Sequence, residues 1–171
     1  MNKLYFLIGL PRSGKSTLAN QWARYFISFM PNGVIDDTSY DSTPRVVVCA
    51  DDIRYACGHR WNGYVEPYIN ATKLIMIRSL LRKHDVLVDG THTTSKSIME
   101  LLTINRHAIP YFVNTKPDIC KQRAKESNQD DLLPVIDRMK IQIDQLTFDN
   151  TSIYTAIDNM RKNISDIRIS D

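Results

Sequence analysis

The sequence contains few cysteines. Its 171 residues include only three, Cys49, Cys57 and Cys120, an odd number without a repeated spacing. Small proteins that depend on disulfides usually carry even numbers of cysteines, so this pattern argues against a disulfide framework and indicates a reducing compartment. Cys57 and His59 lie close together, but no second pair of ligands follows at a metal-binding spacing, which argues against a zinc site.

Long apolar runs and a large excess of charge are also missing. No apolar run is long enough to span a bilayer and no secretory signal is visible, so we expect a cytoplasmic protein without a membrane partner. The formal net charge is only +3. Any contact with nucleic acid must therefore come from a local patch rather than from a basic coat. Repeats and low-complexity segments are absent, and the length predicts a single domain over residues 1–171.

The most informative stretch is G-x-x-x-x-G-K-S-T at residues 9–17. This is the pattern of a phosphate-binding P-loop. It follows an apolar run, which predicts a buried strand, and it leads into apolar residues at helical spacing, which predict a helix over residues 14–29. Gly9 and Gly14 allow the backbone to curl so that its N–H groups converge on one anion, and the helix N-terminus adds its dipole. The motif in this setting predicts binding of a nucleoside triphosphate.

The residue types of the loop suit ATP and Mg²⁺, which are the cofactors that we expect. Lys15 can reach the β- and γ-phosphates, and the Ser16 hydroxyl can ligate Mg²⁺. The loop residues that we assign to nucleotide binding are Gly9, Pro11, Arg12, Ser13, Gly14, Lys15, Ser16 and Thr17.

Strand and helix patterns alternate along the rest of the chain. This alternation predicts an α/β protein whose parallel sheet is covered by helices on both faces. In such sheets ligands bind beyond the carboxyl ends of the strands. Strands are predicted at residues 3–9, 45–50, 86–89, 109–114 and 164–169. Helices are predicted at residues 14–29, 53–57, 68–82, 93–105 and 153–162, and others begin near residues 117 and 134. Residues 31–44 are predicted to be a surface loop.

Two carboxylates, Asp51 and Asp52, follow the second predicted strand, and Arg54 comes shortly after them. A kinase needs a carboxylate that orients the acceptor hydroxyl and takes its proton. A nearby cation can hold a phosphate of the acceptor. We therefore interpret Asp51 and Arg54, with Lys15, as catalytic residues. The alternative is that Asp51 or Asp52 only caps the short helix that follows.

Asp89 ends the third predicted strand. A carboxylate at this place in a P-loop protein typically holds Mg²⁺, so Ser16 and Asp89 form the predicted metal site. Thr91 and His92 follow and could contact an acceptor or a phosphate. For His92 we favour the simpler interpretation, a histidine in a surface loop.

Three cations, Lys121, Arg123 and Lys125, lie on a predicted helix that ends in a polar break. Cations must close over the transferring phosphoryl group, and this helix with its break is typical of a mobile lid at about residues 117–133. Arg123 is the preferred catalytic and nucleotide-binding residue, because a guanidinium can bridge two phosphates. Arg138 is a weaker candidate, and the alternative for all of them is a solvated helix face.

Residues 53–68 interleave aromatic residues with cations. This composition suits a stacked base beside a phosphate, although aromatic residues at such spacing more often belong to a core. The aromatic residues are Tyr55, Trp61, Tyr64 and Tyr68, and the cations are Arg54, His59 and Arg60.

These motifs together resemble the kinase domain of phage-type polynucleotide kinase and its small P-loop kinase relatives. The resemblance covers residues 4–146. It is carried by four motifs, which are G-x-P-x-S-G-K-S-T at 9–17, D-D-x-R at 51–54, D-x-T at 89–91 and L-P-x-I-x-R-M at 133–139.

The resemblance implies a three-layer P-loop kinase fold with a mostly parallel five-stranded sheet of order 2-3-1-4-5. It also implies ATP-dependent phosphorylation of a hydroxyl. By position it makes Asp51 the general base and Arg54 the ligand of an acceptor phosphate. Lys15 and Ser16 become ligands of ATP and Mg²⁺, and Arg123 matches the first lid arginine.

The chain also departs from this family. The second lid arginine would fall near Ser127, where there is no cation, and Lys125 is the candidate substitute. Arg12 occupies a loop position at which the polynucleotide kinase has a small residue. No phosphatase domain follows the kinase motifs.

The leading interpretation is an ATP-dependent kinase whose acceptor is a hydroxyl on a nucleic acid or nucleotide, either a 5′-hydroxyl or a hydroxymethylated base in DNA. A kinase of nucleosides or metabolites is the first alternative. A GTPase is a second, because T-K-x-D at residues 115–118 matches a guanine-binding pattern. Against the GTPase, no D-x-x-G pattern follows the third strand. A nucleotide-binding module without catalysis is the last alternative.

Overall fold

The strand β1 (Leu4–Ile8) lies at the centre of the sheet. Four of its five residues are buried, since the run is apolar on both faces.

The computed structural model describes residues 2–25, 28–29, 35–36, 45–147 and 152–167. The other strands in these ranges are β2 (Ser28–Phe29), β3 (Ile35–Asp36), β4 (Arg45–Cys49), β5 (Asp85–Asp89) and β6 (Ile109–Phe112). The helices are α1 (Lys15–Tyr25), α2 (Ala50–Ala56), α3 (Glu66–Leu80), α4 (Ser95–Ile104), α5 (Pro117–Glu126), α6 (Leu133–Leu146) and α7 (Ile153–Ile167), with a 3₁₀ turn at Asp130–Leu132.

The main sheet is parallel and has the order β4-β5-β1-β6. Phe6 of β1 is in register with Val88 of β5, and Leu7 of β1 with Tyr111 of β6. Counted by the strands that the sequence predicted, this order is 2-3-1-4. The four predicted strands at residues 3–9, 45–50, 86–89 and 109–114 are thereby confirmed, and their carboxyl ends meet at one edge.

Helices cover both faces of the sheet. Phe6 and Ile8 belong to one buried cluster with apolar residues of α3, α4 and α7, such as Ile77, Leu101 and Ile157. Leu7, which points the other way because side chains alternate along a strand, packs with Trp22 of α1 and its neighbours. The expected α/β architecture with two covered faces is confirmed.

A third buried cluster joins the P-loop to the helices that follow β6. It contains Leu10, Cys120 and Ala124 with Ile136 and Ile143. The helices α5 and α6 begin with proline in their first turn, where the missing N–H costs nothing. This cluster fixes α5 beside the loop.

The predicted fifth strand at residues 164–169 is wrong over residues 164–167, which belong to α7. Isoleucine or methionine recurs at positions 153, 157, 160, 164 and 167, and this spacing follows the period of a helix. Residues 168 and 169 lie outside the described part. The described main sheet has four strands instead of the expected five.

Two other boundaries differ from expectation. The first helix ends at Tyr25, not at residue 29, because Ser28–Phe29 forms β2 and pairs antiparallel with β3. Most of the predicted loop at residues 31–44 lies outside the described residues. The helix predicted at residues 53–57 begins earlier, at Ala50, directly after β4. Within the described ranges, no helix has the length and apolar character to cross a bilayer.

Candidate active site

The P-loop connects β1 to α1 and encloses a cleft of about 590 Å³. Known small-molecule sites have volumes of roughly 300–1,000 Å³. The cleft is lined by residues 12–18, Gln21, Val113 and Arg123. Most of the loop residues that the sequence assigned to nucleotide binding therefore surround one space.

Glycine is required at position 9 by a close backbone approach. A Cβ atom on Gly9 would lie 2.8 Å from the carbonyl oxygen of Val113, which is shorter than any ordinary contact. The Gly9 N–H donates to the Thr91 carbonyl at 3.0 Å. The first residue of the P-loop is thus held between the chain segments that follow β5 and β6.

Lys15 begins α1 and is 7% exposed. Its Nζ atom donates to the Leu10 carbonyl at 2.5 Å and to the Ser13 hydroxyl at 3.3 Å. Burial lowers the pKa of Lys15 from 10.5 to about 8, although the charges of Asp89 and Asp51 oppose this shift. The ammonium group is therefore hydrogen-bonded to the P-loop itself, and a phosphate in the cleft would have to replace these hydrogen bonds.

Asp89 ends β5 and faces the P-loop from the neighbouring strand. Burial raises its pKa, while the Ser16 hydroxyl and the Lys15 ammonium act in the opposite direction. A hydroxyl and a carboxylate are the hard oxygen ligands that suit Mg²⁺, which is usually held by one or two protein groups and by phosphates of the substrate. Ser16 and Asp89 therefore fit the metal site that the sequence predicts.

Asp51 and Asp52 lie in the first turn of α2, where acidic side chains stabilise the positive end of the helix dipole. The residue that caps α2 is Cys49, and it makes no side-chain capping bond. Neither carboxylate is therefore the helix cap, which was the alternative to a catalytic role. The side chain of Asp51 is 71% exposed, so it is accessible to an acceptor.

Arg54 is held by two carboxylates. Its Nη1 atom pairs with Asp51, while Nε and Nη2 donate to the two carboxylate oxygens of Glu66 at 2.6 and 2.8 Å. These contacts, above all the bond to Glu66, raise the pKa of Arg54. An acceptor phosphate would have to share or displace one of these partners, so the arrangement also suits Arg54 for orienting Asp51.

Arg123 of α5 lies against the P-loop. Its Nη1 atom is 3.9 Å from the position of a Cβ atom on Gly14 and donates to the Arg12 carbonyl at 3.2 Å. The Arg12 guanidinium in turn donates to the Arg123 carbonyl at 3.4 Å and to the Ser127 hydroxyl. Both guanidinium groups therefore lie beside the cleft.

The other cations of the predicted lid differ in position. Lys121 forms an ion pair with Asp137 of α6 at 2.6 Å, so it joins two helices. Lys125 is exposed. The place near Ser127, where the resemblance implies a second lid arginine, is reached by Arg12 instead. Movement of residues 117–133 as a lid stays a prediction.

His92 is not a surface-loop residue, and this expectation was wrong. It is 6% exposed, adopts a left-handed backbone conformation with a φ of 41°, and packs edge-on against Phe6. Burial, together with the charges of Lys73 and Lys15, lowers its pKa from 6.5 to about 3. His92 is therefore a neutral side chain beneath the site.

The four aromatic residues between positions 53 and 68 are not core residues. They are 71–90% exposed on α2, on the connection to α3 and on the first turn of α3. The core alternative is thereby excluded for Tyr55, Trp61, Tyr64 and Tyr68.

Two features of the site were missed by sequence reasoning. Glu66 gave no signal, because its contact with Arg54 depends on how the connection between α2 and α3 folds back. The contact of Arg12 with Ser127 joins residues 115 positions apart. Arg12 itself carried a signal, since it stands at a loop position where the polynucleotide kinase has a small residue. In the structure its φ is positive, at 62°.

No family model matches the sequence, and no curated protein matches it. Solved structures do match. A chain of the Pnkp1/Rnl/Hen1 complex is 23% identical over 71% of this chain, with a TM-score of 0.54. A chain of the Pnkp1/Rnl/Hen1 RNA repair complex is 20% identical over 80% of this chain, with a TM-score of 0.55. This chain spans only 39% and 45% of those two chains.

Shikimate kinase from Acinetobacter baumannii, solved with shikimate, is also similar. It is 17% identical and the match covers 100% of this chain and 96% of that chain, with a TM-score of 0.52. Identities this low show the fold alone. The parallel sheet order, the P-loop and these structural neighbours agree, and the chain has the fold of the P-loop kinases.

Proposed function

We propose that this protein is an ATP-dependent kinase that phosphorylates a hydroxyl group on a nucleic acid or nucleotide. One observation carries the proposal: Lys15 of the P-loop and Asp89 of β5 interact with each other at one sheet edge, and the charge of Asp51 of α2 acts on both of them. A triphosphate site and an exposed carboxylate for the acceptor are thus combined. The similarity to a chain of an RNA repair complex supports a nucleic-acid acceptor.

The donor half of the reaction is assigned to the P-loop side. Lys15 leaves the Leu10 carbonyl and binds the β- and γ-phosphates of ATP. Ser16 and Asp89 would hold Mg²⁺, which would neutralise charge on the phosphates. Arg123 contacts the transferring phosphoryl group from α5, where developing negative charge is stabilised by a guanidinium.

The acceptor half is assigned to α2. Asp51 orients the acceptor hydroxyl and accepts its proton as the oxygen bonds to the γ-phosphorus atom. The bond between that phosphorus and the bridging oxygen to the β-phosphate breaks, and ADP leaves. Arg54 positions Asp51, and a phosphate on the acceptor would share Arg54 with Asp51 and Glu66. The acceptor is a 5′-hydroxyl end or a hydroxymethylated base.

The test combines labelled ATP with a panel of acceptors and the variant Asp51→Asn. The panel contains 5′-hydroxyl DNA and RNA, hydroxymethylated DNA, nucleosides and small alcohols. Asparagine keeps a hydrogen-bond acceptor for Arg54 but cannot take the proton. We expect ATP binding to survive and transfer to fall by on the order of a hundredfold or more. Asp52→Asn, in the same turn of α2, is the matched control.

Two results would oppose the proposal. Preference for GTP with turnover that needs no acceptor would indicate a nucleotide switch. Equal transfer by Asp51→Asn and the unchanged protein would remove Asp51 from the mechanism.

A small-molecule kinase is the second candidate. The match to shikimate kinase extends over nearly the full length of both chains, which supports an acceptor smaller than a polynucleotide. Labelling of a small alcohol in the panel, with no labelling of nucleic acid, would favour this candidate and leave the chemistry of transfer unchanged.

A further inference from the structure

Four large aromatic side chains within residues 55–68 are exposed, and we call them together the aromatic surface. Tyr55 is 71%, Trp61 75%, Tyr64 90% and Tyr68 75% exposed. By contrast Trp22, the other tryptophan of the chain, is 1% exposed in the core. Clustered exposed apolar side chains usually mark a binding surface, because they gain free energy when a partner covers them.

The backbone that carries this surface is well fixed. The two hydrogen bonds between Arg54 and Glu66 tie α2 to the start of α3. Within the connection, the His59 N–H donates to the Arg54 carbonyl at 3.0 Å, and the Tyr64 N–H donates to the Asn62 side chain at 3.0 Å. A surface that is ordered before binding loses less entropy when it meets a ligand.

The aromatic surface adjoins the proposed catalytic carboxylate. Asp51 and Tyr55 are four residues apart in α2, so their side chains lie on the same face of the helix with Cβ atoms roughly 6 Å apart. Both side chains are exposed. If a ligand places a hydroxyl group at Asp51, the part of the ligand next to that hydroxyl can therefore contact the ring of Tyr55.

The charge of residues 51–68 indicates whether a nucleic acid would be held by its phosphates or by its bases. Residues 51–68 contain three carboxylates and two arginines, a net charge of −1 with histidine neutral. Arg54 is already paired with Asp51 and Glu66. The other arginine of the region, Arg60, is exposed. A single cation offers few contacts to phosphates, whereas four tyrosine and tryptophan rings can stack on several bases.

We propose that the aromatic surface binds the bases of a single-stranded nucleic acid whose terminal hydroxyl lies at Asp51. This inference rests on the proposed function and narrows its acceptor class to an oligonucleotide. Four rings offer room for more than one base, so the surface favours a strand over a single nucleoside. Stacking, rather than attraction between charges, supplies most of the affinity.

Intrinsic fluorescence tests this binding without ATP or turnover. In Trp22→Phe, Trp61 is the sole tryptophan, and oligothymidylates of one, two, four and eight nucleotides are titrated against it. We expect quenching, and an affinity for the tetranucleotide at least about tenfold above that for the mononucleotide, since each stacked base adds roughly fivefold or more. The same titration of the unchanged protein gives the length dependence if Trp22→Phe folds poorly.

Substitution of Trp61 provides the second measurement. Trp61→Ala should raise the dissociation constant and the acceptor KM by at least about fivefold, with kcat and ATP binding nearly unchanged. Trp61→Phe keeps a stacking ring and should recover most of the loss. Ile141→Ala, an exposed apolar residue on α6, is the control.

Salt dependence separates stacking from phosphate contacts. The plot of log K against log salt should have a slope of about −1 or shallower, because each neutralised phosphate of a single strand contributes roughly −0.7. A slope steeper than about −3 would overturn the stacking model.

Other outcomes also overturn the inference. One is equal affinity for one and four nucleotides. Another is a dimer that Trp61→Ala dissociates, since a second copy would then cover the surface. If Trp61→Ala phosphorylates oligonucleotides as well as the unchanged protein does, this inference is wrong but the proposed function still holds. Absence of any acceptor-dependent transfer would remove the proposed function itself.

Discussion

The guanidinium of Arg123 donates a hydrogen bond to the backbone carbonyl of Arg12, and the guanidinium of Arg12 donates one to the carbonyl of Arg123. This reciprocal pair, the Arg12–Arg123 clasp, connects the P-loop to α5 at the edge of the P-loop cleft. Carbonyl oxygens are weaker partners for a guanidinium than phosphates are. The clasp therefore holds two cations at a place where a triphosphate can take over their hydrogen bonds.

The first prediction concerns the clasp. Arg123→Ala and Arg12→Ala should each lower kcat by on the order of tenfold to a hundredfold, because each removes a cation from the transferring phosphoryl group. In the double variant the two losses should not add, since the residues contact each other. The measurement is single-turnover transfer from labelled ATP.

Lys125→Ala is the matched comparison on the same helix. A small effect of Lys125→Ala beside a large effect of Arg12→Ala would identify Arg12 as the second cation of the site. The reverse result would return that role to Lys125, as the resemblance suggested.

The second prediction concerns Glu66. Glu66→Gln removes the charge that Arg54 contacts with two hydrogen bonds, so it should lower the free energy of unfolding by about 2 kcal/mol. Arg54 lowers the pKa of Glu66. This carboxylate therefore stabilises the fold above its unfolded pKa, and the contribution disappears as the pH falls through its folded pKa. Urea denaturation at pH 7 and at pH 3 measures the difference.

Glu126→Gln on α5 is the control, since Glu126 is exposed and accepts a hydrogen bond from the neutral side chain of Gln122. A loss of stability in Glu66→Gln that is the same at both pH values would contradict an ionic origin.

The third prediction uses the lowered pKa of Lys15. The unfolded chain binds more protons than the folded one between pH 8 and pH 10.5, so the contribution of Lys15 to stability rises with pH across this interval. Lys15→Met should therefore stabilise the fold at pH 7, by up to roughly 3 kcal/mol, and the gain should shrink as the pH rises towards 10.5. Thermal unfolding over this range is the measurement.

The same variant should lose ATP binding and transfer. In the unchanged protein, ATP affinity should fall as the pH rises above about 8, because the ammonium that meets the phosphates loses its proton. ATP affinity that stays constant from pH 7 to pH 10 would refute the role of Lys15.

The fourth prediction concerns His92. Its pKa is lowered to about 3, so the unfolded state takes up a proton below pH 6.5 that the folded state does not. As the pH is lowered from 6.5 to 4, this residue should therefore reduce the free energy of unfolding by roughly 3 kcal/mol. His92→Asn, which tolerates the left-handed backbone, should flatten the curve in that interval.

The exposed His107 is the control for this measurement. His107→Asn should leave the acid branch of the stability curve unchanged. An acid branch that is equally steep in His92→Asn would mean that other groups cause the loss of stability.

The sequence predicted the central strands well, because residues such as Phe6 and Val88 lie in short, continuously apolar runs that are typical of a buried parallel strand. It failed in the last helix. There Ile167 and Ile169 alternate as in a strand, while the longer series from Ile153 to Ile167 has the period of a helix, and the longer series determined the structure.

The candidate site was predictable as far as it depends on strand ends. The P-loop, Asp51 and Asp89 each follow a strand, and parallel strands bring their carboxyl ends to one edge. The contacts of Arg12 and Glu66 were not predictable. They depend on the conformation of the P-loop and of the connection between α2 and α3, and hydrophobic periodicity does not predict the conformation of such segments.

The central position of β1 has a consequence for the order of events during synthesis. Gly9 is held by the segments after β5 and β6, and these strands lie some 80 and 105 residues further along the chain than β1, as the pairs Phe6–Val88 and Tyr5–Ile109 show. Contacts this distant form late in folding. A growing chain therefore contains its P-loop well before β6 has been synthesised, and we expect the loop to reach its final shape only once β6 can pair with β1.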